Sequence, residues 1–435
     1  MKSKQQGRRR FLKDSAALAG LAVGAAGIAG AQTPGSANAH ASPRDLHANG
    51  ERSRFETSHR IGNNGRFGNN AGDDPKPGQT RDDRDIGLRT PHQNSYSIIT
   101  PAAVHYVISH GYEPRDINPR EHRLMIHGMV DRPLVFTMDD LKRLPAVTRV
   151  HFVECRADGD PSYGPRRNPS ATVQITHGFS SCSVWTGVPL SLLLKEAGVR
   201  QSASWILAEG VDRQMHTKSI PMVKVNEDVL VVYGQNGEAL RPEQGYPLRL
   251  LVPGYEGINS VKWLHRIKVT NKPTMTRSET IQYPELRGDG KARWFQSVLG
   301  VNSVITRPSG GSRLPGRGYH QITGFAWSGR GAIRRVEVST DGGRSWKDAQ
   351  IQAPVYEKAF TQFEFPWTWN GDEALLQSRS TDDHDEVQPT MAEIGKIWNL
   401  PASYFNPAPF LFGHFNAIQP WKVSPDGSVQ NALFT

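Results

Sequence analysis

Gln244-Gly245-Tyr246-Pro247-Leu248-Arg249-Leu250-Leu251-Val252 runs into Pro253-Gly254-Tyr255-Glu256-Gly257, and Ser260-Val261-Lys262-Trp263 follows close behind. The apolar residues 250–252 read as a strand. The Pro-Gly segment reads as a turn, and Val261 begins a second strand. Arg249 and Lys262 then stand beside a glycine-rich loop with free backbone N–H groups. Such an arrangement holds a phosphate or another anion. A tight hairpin carrying two exposed cations is the plainer reading of the same residues.

Upstream, Val150-His151-Phe152-Val153-Glu154-Cys155 is a second strand, and Arg156-Ala157-Asp158-Gly159-Asp160-Pro161 follows at once. A thiol at a strand end, facing a cationic loop, stands where reactive or metal-bound cysteines occur. A buried structural cysteine fits the position equally well. Cys182 is the only other cysteine. Two cysteines exclude a disulfide scaffold, a tetrathiolate zinc site and an iron–sulfur cluster. A Cys155–Cys182 bridge stays open, because its geometry is not readable from sequence.

Further strands are expected at 124–130, 229–233 and 248–252, with short helices at 137–144 and 189–197. In the second helix Leu190, Leu193, Leu194 and Ala197 share a face, and Gly198 caps it. Residues 96–272 therefore read as a mixed α+β domain. Residues 273–293, with Pro273, Pro284 and Gly288-Asp289-Gly290, read as a linker. Beyond it strand signals recur with few helical ones, at Gln321–Trp327, Arg335–Ser339, Phe360–Pro366 and Glu373–Ser378. Asp341-Gly342-Gly343, before Ser345-Trp346, reads as a hairpin turn. Residues 294–435 are thus expected to form an immunoglobulin-like β-sandwich.

Residues 40–95 are polar and aperiodic, and read as a flexible or wrapping arm. Residues 1–39 read as an export signal. Arg8-Arg9-Arg10-Phe11-Leu12-Lys13 precedes the uncharged run Ser15–Ala31, and Ala37-Asn38-Ala39 offers a small-x-small cleavage site. The run is short and weakly apolar for a membrane span. The paired arginines with Phe-Leu-Lys resemble the twin-arginine signal, which implies a periplasmic protein exported already folded, often around a cofactor. Of the net charge of +10, this segment supplies +5 through six Lys/Arg against one Asp. The rest shows no basic run with interleaved aromatics, so nucleic acid is set aside. No C-x-x-C-H, H-E-x-x-H, Walker A, G-x-G-x-x-G or G-x-S-x-G pattern occurs. Covalent haem, a zincin and a nucleotide fold are not indicated.

Longer segments carry a resemblance. His122-Arg123-Leu124-Met125-Ile126-His127-Gly128-Met129-Val130, Phe136 to Lys142, the strand ending at Cys155, Cys182 to Val188, and Gly245 to Leu264 resemble the sulfite oxidase family of molybdopterin enzymes. Ala326-Trp327-Ser328-Gly329 and Val338 to Gly343 are similar to that family's dimerisation domain. The resemblance runs from about Arg89 towards the C-terminus and is greatest to the SoxC-type catalytic subunits of sulfite (sulfane) dehydrogenases.

The resemblance implies one molybdenum–molybdopterin per chain, with Cys155 as the single protein thiolate on the metal and thus the catalytic residue. His110, Asp212, Gln244, Arg249, Ser260, Val261 and Lys262 match cofactor-binding positions, and Arg166 and Trp185 are candidates for the substrate pocket. It implies oxidation of sulfite or carrier-bound sulfane sulfur, with electrons passed to a separate c-type cytochrome. It further implies a homodimer or heterotetramer, and a sulfur-carrier protein as a possible partner.

Departures from the family pattern bear on the substrate. Many members read Cys-x-Gly-Asn where this chain has Cys155-Arg156-Ala157-Asp158. Ile108 stands where sulfite-oxidising enzymes place an anion-binding Arg, and Phe325 where they place Tyr. Losing a cation and a hydroxyl weakens the grip on a small dianion, a loss for which Arg156, Arg166 or Arg167 are candidates to compensate. Two other readings stand beside this one: a same-scaffold oxidoreductase acting on another oxyanion or a sulfoxide, and a cofactor-free periplasmic binding or assembly protein.

Overall fold

The computed structural model describes residues 56–62, 87–109, 116–160, 164–212, 216–295, 298–400 and 413–434. The chain divides at Thr57, and the architecture below is that of Ser58–Thr435. The signal at 1–39 lies outside the described residues. Among the described residues, no helix is long and apolar enough to cross a membrane.

Two sheets frame the first part. One is antiparallel and runs Glu238–Ala239, Leu230–Gln235, Ser180–Pro189, Val147–Glu154, with Arg249–Leu251 also paired to Leu230–Gln235. The other runs Leu134–Thr137, Arg123–Gly128, Leu264–Thr270, Trp205–Gly210, Thr217–Pro221. Its Leu264–Thr270 strand lies parallel to Arg123–Gly128 and its other pairs are antiparallel.

Alternation does the sorting. In Arg123–Gly128, Leu124 and Ile126 are buried while Met125 is exposed, as a strand half-covered on one face requires. Leu124, Ile126, Val188, Ile206, Val231, Leu250 and Ile267 form the core between the sheets. The helix Leu190–Ala197 adds Leu190, Leu193, Leu194 and Ala197 from one face. Each buried Leu contributes about 2 kcal/mol. The helix stops at Gly198, whose φ of 73° suits glycine, and whose N–H bonds Leu194 O and Lys195 O.

The second part is a sandwich of two antiparallel sheets. One orders Asn302–Arg307, Gly318–Trp327, Thr361–Trp369, Gln350–Ile351; the other Lys347–Asp348, Ile333–Ser339, Ala374–Asp382, Trp421–Val423, Val429–Asn431. Val304, Ile322, Trp327, Val336, Phe363, Leu376 and Trp421 fill the space between them. The fold class is thus the mixed α+β domain followed by a β-sandwich that the sequence leads one to expect. The hairpin is longer than expected: Ser345-Trp346 stay in the loop, and the returning strand is only Lys347–Asp348. Asp341 explains this, because it folds the loop back by accepting Ser345 N–H at 2.9 Å.

The two parts share a core. Phe152, Val173 and Cys182 join the sandwich cluster, and Phe152 N–H donates to Lys358 O at 3.0 Å. At a second seam two glycines meet. Gly254 (φ 74°) and Gly329 approach so closely that a Cβ on either would strike the other's carbonyl oxygen. Leu299 N–H closes the seam on Gly254 O at 3.0 Å.

Two expectations change. The arm expected over 40–95 does not hold for its last residues. Gly87–Arg89 pairs on one side with Ile61–Gly62 and on the other with Val107–Ile108; Arg89, Thr90 and His92 are buried. The segment 273–293 is more than a linker. Ser278–Gln282 forms a helical turn, and Ser278, Glu279, Tyr283 and Glu285 are buried. Both cysteines are free thiols. Cys182 faces Phe152 in the ladder, and Cys155 lies past the ladder's end, so the bridge left open by the sequence is not formed.

Candidate functional site

The strand Val147–Glu154 ends one residue before Cys155, whose N–H still donates to Phe179 O at 2.8 Å. The chain then turns, with Asp158 N–H on Cys155 O and the Asp158 carboxylate on Phe179 N–H, each at 2.8 Å. This turn presents the thiol to a cleft of about 650 Å³, part of it open solvent. Burial pushes the Cys155 thiol up to about 12. The bare side chain is therefore neutral, and ionises only when a bound metal displaces its proton.

Cys155, Asp212, Gln244, Arg249, Ser260, Val261 and Lys262 all border this one cleft. They come from four separate stretches of chain, which the two sheets bring together. His110 lies outside the described residues; its neighbour Ser109 lines the cleft.

Arg249 stands at the head of the strand Arg249–Leu251 and is 4% exposed. It donates to Gln244 Oε1 at 2.9 Å and Ser260 O at 3.2 Å. Gln244 in turn donates to Tyr106 O at 2.8 Å. Burial lowers the Arg249 guanidinium to about 10. Among the described residues no carboxylate lies within ion-pair distance of it. A buried cation in this position calls for an anion from outside the chain.

Lys262 donates to Ser109 Oγ and Glu243 O, both at 2.9 Å. Trp263 follows at a φ of 52°, unusual for a bulky residue. Asp212 accepts His216 N–H at 2.7 Å and is raised by burial. The His216 ring, lowered to about 4 by burial, is bonded to Ile258 O at 3.0 Å.

Two expected residues lie elsewhere. Arg166 is 1% exposed and braces the turn after Cys155, donating to Ala157 O, to Asp160 O at 2.8 Å and to Ile175 O at 3.1 Å. Trp185 is fully buried, donates to His151 O at 3.1 Å and lies behind Arg249, 5.4 Å from it. Neither borders the cleft. Nor do Arg156 and Arg167, so none of the three candidate arginines replaces the cation missing at Ile108, which does line the cleft. Phe325 lies in the sandwich, stacked on Phe360 at 5.3 Å.

Sequence reasoning missed Tyr106, His216 and Tyr283. Tyr106 sits two residues before Ile108, in a stretch already singled out. Tyr283 sat in a supposed linker and carried no signal.

Residues 110–278 match the family model for the oxidoreductase molybdopterin binding domain, and residues 293–408 that for the Mo-co oxidoreductase dimerisation domain. The structure is similar to that of the sulfane dehydrogenase SoxCD from Paracoccus pantotrophus. The TM-score is 0.79 at 36% identity, over 91% of this chain and 96% of that one.

The chain belongs to the sulfite oxidase family of molybdopterin enzymes.

It is also similar to NADH nitrate reductases. It is 34% identical to that of Ulva prolifera, over 62% of this chain and 34% of the relative. It is 31% identical to that of Volvox carteri, over 70% and 39%. The chain thus spans about a third of the length of these relatives. Membership makes it a molybdopterin oxidoreductase, and the cleft fits such a group on this structure's own terms. Arg249 is a buried cation awaiting an anion. Cys155 is a soft ligand. Gly257 lets the lining turn close on the strand end before Cys155, where a Cβ would meet Tyr106 Oη at 2.6 Å and Glu154 O at 3.0 Å.

Proposed function

We propose that this chain is the catalytic subunit of a periplasmic molybdenum-dependent dehydrogenase. It oxidises sulfite or carrier-bound sulfane sulfur and passes the electrons to a c-type cytochrome. Cys155 holds the metal. Arg249, Gln244, Ser260, Val261 and Lys262 hold the pterin phosphate, with Asp212 and His110 as further cofactor contacts. The bound group supplies two-electron oxidation of sulfur, with water as the oxygen source. The observation that carries the reading is the meeting of the Cys155 thiol and the uncompensated Arg249 guanidinium in one cleft.

Within that reading the cleft favours a carried sulfur over free sulfite. A small dianion needs a fork of donors, and the cleft has Ile108 where sulfite-oxidising relatives would place an arginine, with Val107, Ile258 and Tyr283 also in its lining. A sulfur delivered on a protein's arm is positioned by the carrier and leaves that fork unnecessary. The sandwich serves as a dimerisation or partner-docking face, and residues 1–39 direct twin-arginine export. Nitrate reductase relatives support one rival, reduction of an oxyanion by the same scaffold.

The test is molybdenum per chain in mature protein beside Cys155→Ala, followed by substrate assays. About one molybdenum in the wild type, much less in the variant, and cytochrome c reduction with a sulfur substrate support the reading. Nitrate reduction with reduced viologen, and no sulfur oxidation, supports the rival. Folded wild-type protein without molybdenum leaves the cofactor-free binding protein.

A further inference from the structure

Pro242–Gln244 forms a single helical turn beside the cleft. Proline opens it, and Gly245, at a φ of 106°, ends it. Each of its three residues holds a residue of the cleft. Pro242 O accepts Trp263 Nε1 at 3.0 Å, Glu243 O accepts Lys262 Nζ at 2.9 Å, and Gln244 Oε1 accepts the Arg249 guanidinium at 2.9 Å. Gln244 also donates to Tyr106 O at 2.8 Å. The cofactor reading draws on these carbonyls and this amide. It has no use for the Glu243 carboxylate, which belongs to the same turn.

That carboxylate is a liability at an anion site. Free to turn inward, it would compete with a bound phosphate for the Lys262 ammonium and repel the phosphate itself. The structure turns it outward onto Arg60. Arg60 Nη1 meets Glu243 Oε1 at 2.8 Å, with the two side chains 15% and 22% exposed. Arg60 Nη2 donates to Ala102 O at 2.9 Å. Strand pairing fixes the place of Arg60. The next residues, Ile61 and Gly62, pair with Arg89 and Leu88, and Gly87–Arg89 pairs in turn with Val107–Ile108, which lines the cleft. Arg60 thus joins from outside the same two stretches that Gln244 joins from inside through Tyr106 O. Burial lowers the neighbouring His105 ring to about 3, and Arg249, Arg60 and Lys262 all push it the same way. The outer cation and the two cleft cations therefore gather about one buried side chain.

We propose that Arg60 is a positioning residue for the cofactor. It takes up the Glu243 carboxylate outside the cleft, and so leaves Lys262 and Arg249 to the pterin phosphate inside it. Arg60 acts through Glu243 and not by contact, which makes this N-terminal segment a working part of the cofactor site. The inference rests on the reading of the cleft as the pterin-phosphate site and is independent of the substrate.

The experiment measures pterin and molybdenum per chain in the purified protein, and the rate at which pterin leaves it in cofactor-free buffer. It compares the wild type with Arg60→Met, Glu243→Gln and Arg60→Met/Glu243→Gln. Pterin is read by the fluorescence of its oxidised form, which needs no turnover. Arg60→Met is expected to release pterin about fivefold faster or more, because it leaves a largely buried carboxylate unpaired beside the phosphate. Glu243→Gln is expected to change release by less than about twofold. The double variant is expected to return release close to the wild-type rate, since the carboxylate that Arg60 takes up is gone. This rescue separates positioning from bracing, because the strut to Ala102 O stays lost in the double variant. Arg60→Gln keeps a donor for Ala102 O without the charge, and carries the same comparison if Arg60→Met fails to fold. Unchanged release in the charge-removing variant overturns the inference. Fast release that Glu243→Gln does not restore overturns it too. Both results leave the cofactor reading standing. A folded wild type without pterin overturns that reading and the inference with it.

Discussion

Arg249 shows what one residue must contribute to make a site. Its guanidinium is buried, tied to Gln244 and Ser260, and faces no carboxylate among the described residues. A charge-assisted hydrogen bond to a bound anion is worth about 2 kcal/mol, or roughly thirtyfold in affinity. Arg249→Met should therefore lower pterin and molybdenum content severalfold. The urea midpoint of the metal-free chain should barely move, since the hydrogen bonds lost are offset by no longer burying a charge. Unchanged metal content would remove Arg249 from the site. This residue was legible through the family resemblance, since a cation beside a glycine-rich turn reads by itself more plainly as an exposed hairpin charge. Arg166 was not. Its sequence neighbourhood looks equally cationic, and only the fold reveals that backbone carbonyls absorb its donors.

At the scale of elements, strong periodicity was readable and short irregular pieces were not. The helix Leu190–Ala197, the strand that ends at Glu154 and the strand that begins at Arg249 follow from spacing alone. The turn Ser278–Gln282 and the strand Gly87–Arg89 are short and flanked by polar residues, so nothing local marks them as buried. Their burial comes from what packs on them. The short helical turn Gly257–Asn259 makes a direct prediction. In Gly257→Ala the added Cβ meets Tyr106 Oη at 2.6 Å and Glu154 O at 3.0 Å. The turn must move away from the strand end that carries Cys155. Molybdenum loading should fall at least severalfold, with a loss of stability of about 1–3 kcal/mol. Elemental analysis beside a urea titration checks it; full loading at wild-type stability contradicts it.

Across the described residues, many titratable groups are buried, and that sets the response to pH. His92, His105, His151, His177, His216 and His414 are held neutral by burial, each lowered to about 3 or 4. Below about pH 6.5 the unfolded chain takes up protons that the folded chain refuses, so stability falls as pH falls. The loss approaches about 1.4 kcal/mol per pH unit for each such histidine until its folded value is reached. Glu256 and Glu285 act in the opposite sense. Their raised values favour the fold at low pH, and that contribution is lost as pH rises from about 4.3 towards 7 and 8. Urea unfolding of the metal-free chain should therefore show stability dropping steeply from pH 6 to pH 4. Glu256→Gln/Glu285→Gln should flatten the decline on the alkaline side. A profile flat from pH 4 to 7 would contradict the histidine account.

The seam where Gly254 meets Gly329 carries a lesson about descent. The spacing between the loop beside the cleft and the sandwich is set there by peptide planes, with no side chain in between. Peptide planes do not mutate. No series of small substitutions can widen or narrow that gap by degrees, as it can where leucines or valines act as spacers. Any relative that shares the seam inherits the same distance.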